Sequence, residues 1–172
     1  MALESEERME DVERAAPVAR STNWVRAVIS GLLAGLLFLV LEMAMVPLFL
    51  GGSPWAPVRL IGAILLGQDV LPPPASFDAT VAVVALIIHL VMSTIYGLIV
   101  GALVHDRETA VALLIGFIFG LVLYFVNFYG FTVIFPWFAQ ARNWVTIFNH
   151  LAFGVATAAL YKSLTAGAAE IT

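Results

Sequence analysis

Four stretches of the chain stay apolar long enough to cross a bilayer, and the polar positions between them fall in short interruptions. About 20 apolar residues cover the roughly 30 Å hydrocarbon core as a helix, because every backbone N–H and C=O there must be paired within the segment. The pattern predicts spans over 27–50, 80–104, 109–134 and 143–164. Between the first two, "PVRLIGAILLGQ" (57–68) is too short to span and carries Arg59, which predicts a helix lying in the interface. "DVLPPPASFD" follows, and three consecutive prolines forbid a helix interior and favour an extended spacer.

The fold class expected is an all-α integral membrane protein: four transmembrane helices as two tandem pairs, with the interfacial helix between the first and second. Residues 1–22 are expected to form a mobile acidic tail, 23–165 the bundle and 166–172 a short C-terminal tail. The first apolar run begins late and is long, which predicts an anchor rather than a cleaved signal.

Composition supports the membrane assignment and removes several function classes. Hydrophobic residues make up 62% of 172 and charged residues 12%, far from soluble averages. The formal charge of −4 hides a segregation, because six of the twelve acidic residues lie in the first thirteen positions. No basic surface for nucleic acid is available. The absence of cysteine excludes disulfides, thiolate metal sites, Cys nucleophiles and thioether-linked haem. No Ser, Lys or carboxylate set suggests a hydrolase, so an enzyme is not expected.

Arg14, Arg20, Arg26, Arg107 and Lys162 fall on the side of the termini, whereas only Arg59 and Arg142 fall opposite. The positive-inside rule then places both termini on the cytoplasmic side of the membrane. Trp55, Trp137 and Trp144 form an aromatic belt at the outer interface, and Trp24 marks the inner one. "FPWFAQARNW", with Arg142, concentrates aromatics at that outer face, where loop packing or a quinone, lipid headgroup or second subunit would suit it.

Self-similarity is the most informative pattern. Gly31, Gly35 and Glu42 in the first span match Gly116, Gly120 and Asn127 in the third at an offset of 85 residues. His89, Ser93 and Gly97 in the second match His150, Gly154 and Ala158 in the fourth at an offset of 61. Two such helix pairs keep one direction through the membrane, which predicts a parallel repeat. Small residues four apart share a helix face, so Gly31 and Gly35, Ser93, Gly97 and Gly101, Gly116 and Gly120, and Gly154 and Ala158 form seams for close backbone approach.

Each seam is accompanied by one polar residue: Glu42, His89, Asn127 and His150. All four sit three to five residues outward of mid-span, about 5 to 8 Å at the helical rise, which predicts one intramembrane polar layer. Three readings of the layer stand side by side. It is a hydrogen-bonded cluster that fixes helix register, or a site where His89 and His150 ligate a b-type haem or, with Glu42, a transition metal. The third is a proton or small-solute pathway. The expected function is a non-catalytic accessory or assembly subunit. Its expected partners are the lipid bilayer and other membrane subunits or further copies of itself.

"GLLAGLLFLVLEMAMVPLFLGGSPW", "NFYGFTVIFPWFAQARNW" and "NHLAFG" together resemble a group of small, uncharacterised bacterial four-helix inner-membrane proteins, some of them labelled "sodium:proline symporter". The resemblance runs from Trp24 to Leu164 and implies a four-helix inner-membrane fold. It implies no activity for individual residues, since the group has no established one, and the symporter label does not suit the chain, since sodium/solute symporters have many more spans than four.

Overall fold

The computed structural model describes residues 21–169. Helix α1 (Trp24–Leu50) starts at Asn23, whose side-chain oxygen accepts a hydrogen bond from the Arg26 amide at 3.1 Å, satisfying one of the orphan donors of the first turn. It absorbs Pro47 in its last turn and stops at Gly51, where φ is 65°. Only glycine enters that left-handed region without a steric penalty.

The short helix α2 (Ala56–Leu66) carries Pro57 in its first turn, where a missing N–H costs nothing. Its arginine has a structural task. Arg59 donates from Nε to the Ser76 carbonyl at 2.9 Å and from Nη1 to the Val70 carbonyl at 2.6 Å, folding the proline-rich connection back over the helix.

Asp78 caps α3 (Ala79–Val104) by accepting from the Val81 amide at 3.0 Å. A tight turn leads to α4 (Thr109–Phe125). The sequence predicted regular helix as far as 134. The α geometry instead ends at Phe125, widens into a π turn over Val126–Gly130 and tightens into a 3-10 turn over Phe131–Val133. Arg142 stabilises the widened end: its Nε donates to the Phe128 carbonyl at 2.7 Å, and its guanidinium lies 4.2 Å from the Tyr129 ring centroid. The last helix, α5, runs Trp144–Ala169. Of the acidic segment 1–22, only Ser21 and Thr22 fall within the described residues.

Helices α1, α3, α4 (through Val133) and α5 are long and apolar enough to cross a membrane, and α2 is the shorter apolar helix between the first and second of these. Helix α1 packs between α3 and α5, α4 packs on α5, and α2 lies against α3. The fourth span is the least apolar and the most buried of the four. A helix shielded by its neighbours tolerates polar residues that lipid would not. At the end carrying both termini, Tyr161 is fully buried and its hydroxyl accepts from the Asn23 amide at 3.0 Å. Lys162 donates to the Arg107 carbonyl beside it, joining α5 to the α3–α4 turn.

Candidate functional site

The seams bring backbones into contact. Gly31 of α1 lies against Ser93 and Gly97 of α3, and a Cβ placed on Gly97 would stand 2.5 Å from the Ala27 carbonyl oxygen and 2.7 Å from the Gly31 Cα. Gly101 lies against Ala27. In the second hairpin, Gly116 meets Gly154 and the Ala158 methyl, and Gly120 lies on the backbone of His150. Gly35 is packed against the Ser93 side chain, leaving its carbonyl within reach of a side chain from the neighbouring helix.

His89 uses that opening. Its Nε2 lies 2.8 Å from the Gly35 carbonyl oxygen; the oxygen only accepts, so Nε2 carries the proton and Nδ1 of the neutral ring is left with a lone pair. His150 is arranged the other way round. Its Nδ1 donates to the Thr146 carbonyl at 2.8 Å, one turn back on its own helix. Its Nε2 therefore accepts, and the Asn127 carboxamide donates to it at 3.2 Å. Both nitrogens of His150 are engaged, and the residue is buried.

The π turn starting at Val126 contains Asn127. A π turn re-aims the side chains it carries, and such turns recur where a side-chain direction matters.

Glu42 joins neither histidine. It is buried on α1 beside the Asn149 carboxamide of α5, yet its Oε1 and both polar atoms of Asn149 lack a hydrogen-bond partner. Of the four residues expected in one layer, Asn127 and His150 are bonded directly. His89 and His150 both pack on the Phe38 ring, with centroid separations of 5.6 and 5.0 Å.

Asn149 and Phe38 are not among the residues that the sequence pattern singles out. Asn149 carried a usable signal, a carboxamide within an apolar span next to His150 in "FNHLAFG". Phe38 carried none, because a phenylalanine in an apolar run says nothing about what its ring touches.

These contacts bear on ligation. Bis-imidazole binding of a haem needs two free nitrogens across a porphyrin-wide gap, whereas here Phe38 touches both rings and Asn127 covers the acceptor nitrogen of His150. The residues as arranged do not fit a haem. No cluster of three His, Asp or Glu residues suited to a metal ion occurs among the described residues.

At the end opposite the termini, the aromatic residues bind segments together. Trp137 donates from Nε1 to the Leu60 carbonyl of α2 at 3.1 Å. Trp55 packs on Phe77 at a tilt, 4.8 Å between centroids, and Trp144 meets Phe49 edge-on at 5.3 Å. Arg142 is taken up by the end of the third span.

Comparison with protein-family models, curated proteins and solved structures gives no match to this chain.

Proposed function

We propose that the protein is a non-catalytic accessory or assembly subunit of the bacterial cytoplasmic membrane, with both termini on the cytoplasmic side. The observation that carries this reading is the backbone-on-backbone packing of both hairpins. Such packing makes a stiff unit, since helices touching through glycine have no side chains to rearrange. The apolar stripes of α1, α3 and α4 stay outside this packing and are exposed: Val40, Ile87 and Leu114 are among their most exposed positions. They are the surfaces available to lipid, to another membrane subunit or to a second copy.

We further propose that the two hairpins are a parallel repeat. In support, residues matched by sequence make matched contacts, Gly31 with Ser93 and Gly97, and Gly116 with Gly154 and Ala158.

A photo-crosslinking amino acid at Val40, Ile87 or Leu114, used in cells, tests the subunit reading. One of these positions is expected to give a discrete adduct with a single membrane polypeptide. Only lipid adducts at all three would overturn it.

The buried Glu42, whose Oε1 has no hydrogen-bond partner, beside the Asn149 carboxamide favours a second reading, a proton-handling site. Purified protein in liposomes would then pass protons, and Glu42→Gln would stop the flux; absence of flux in the unaltered protein rejects it.

A further inference from the structure

The Nδ1 lone pair of His89 has no protein donor within hydrogen-bond distance. His89 lines a cavity of about 150 Å³ between α1, α2 and α3, whose walls include Leu39, Met43, Trp55, Val58 and Leu86. A cavity of that volume takes one six-membered ring. Leu86, at 40% exposure, stands on the lipid-facing flank of α3 beside the still more exposed Val83 and Ile87, so the cavity borders the hydrocarbon phase.

Three properties define the occupant. It is apolar enough to live in the bilayer, because the walls are aliphatic and aromatic. It is the size of a single six-membered ring, because the volume matches one. It carries an O–H or N–H, because the one nitrogen His89 offers can only accept. The Gly35 carbonyl enforces this last requirement by holding the proton on Nε2.

We propose that this cavity binds the hydroxylated ring of a membrane-soluble phenol or quinol, with the ring hydroxyl donating to Nδ1 of His89 and any aliphatic tail leaving past Leu86 into lipid. The site prefers the reduced ring. A quinone carbonyl only accepts, and set against the Nδ1 lone pair it would leave two acceptors facing each other. The site stands apart from the subunit reading, since it depends on one cavity and one nitrogen.

The test uses full-length protein carrying 5-fluorotryptophan in lipid nanodiscs, with the fluorine resonance of Trp55 assigned through Trp55→Phe. Decylhydroquinone is expected to shift the Trp55 signal saturably and to leave Trp24, at the opposite end of the bundle, unmoved. Its dimethyl ether, which keeps ring and tail but has no O–H, and decylbenzoquinone are expected to bind at least tenfold more weakly. His89→Leu should abolish this discrimination. Ala82→Phe, which fills the cavity from α3 and leaves His89 in place, should abolish binding. Equal affinity for the quinol and its ether, or discrimination that survives His89→Leu, would overturn the proposal.

Discussion

The two hairpins carry a histidine at matching sequence positions and treat it in opposite ways. In α4–α5, His150 is closed: one nitrogen donates to Thr146, the other accepts from Asn127, and the rings of Phe128 and Tyr124 pack against it at 5.4 and 5.9 Å. In α1–α3, His89 is half open: Nε2 is held by Gly35, Nδ1 has no protein donor, and the residue lines a cavity. Two features separate them. Asn127 reaches its histidine, whereas its sequence counterpart Glu42 lies beside Asn149 of α5. Helix α2, between the two spans of the first hairpin, contributes Val58 and Ile61 to the cavity that His89 lines, whereas aromatic rings pack directly on His150. A histidine in a span is thus defined by which of its nitrogens the neighbours occupy, and spacing alone does not report that.

The largest expected effect separates the hairpins at their seams. Gly120→Ala puts a methyl into the backbone of His150, and no substitution on α5 can remove a backbone atom. Helix propensity returns up to about 1 kcal/mol, while the overlap costs about 3 kcal/mol. Net destabilisation is expected in a reversible unfolding titration in mixed micelles. At the matched position of the first hairpin, Gly35→Ala collides with the Ser93 side chain. That clash is removable: Gly35→Ala with Ser93→Gly is expected to regain most of the loss. If Gly120→Ala is harmless, the second seam is looser than the geometry states.

Four spans, the short apolar helix between the first two and the positions of the seams were legible because hydrocarbon imposes length and apolarity, and because glycine at every fourth position has few other uses in a span. The polar contacts were legible only in part. Asn127 and His150 carried matching signals, but the bond between them depends on the π turn that re-aims Asn127, and no residue pattern in "YFVNFYG" announces a π turn. Arg59 and Arg142 read as interfacial charges, whereas both bind backbone carbonyls of their own connections, a role fixed by where those loops return. Glu42 was recognised as a residue that avoids lipid, and its neighbour Asn149 was not, since the approach of α1 to α5 is a tertiary fact.

The second expected effect opens the closed histidine. Asn127→Ala leaves Nε2 of a buried imidazole without a donor, at a cost of about 1–2 kcal/mol. His89→Leu is expected to cost less than about 1 kcal/mol, because the Gly35 carbonyl keeps its partner within α1 and Nδ1 has no protein partner to lose. Measured in the same micelles, the reverse ranking would mean that His89, and not His150, is the structural histidine.

The smallest expected effect concerns the link between the hairpins at the end away from the termini. Trp137→Phe keeps the ring and deletes the Nε1–H that donates to Leu60, a loss of about 1 kcal/mol. Amide hydrogens of α2 are then expected to exchange several-fold faster in hydrogen–deuterium measurements, while Trp144→Phe, whose ring meets Phe49 edge-on, leaves them unchanged. The outcome decides how far the open histidine depends on the other half of the molecule. Faster exchange means that the second hairpin helps to hold the lid over the His89 cavity through Trp137. Unchanged exchange means that α2 is held by the Arg59 bonds and its packing on α3, making the open site a property of the first hairpin alone.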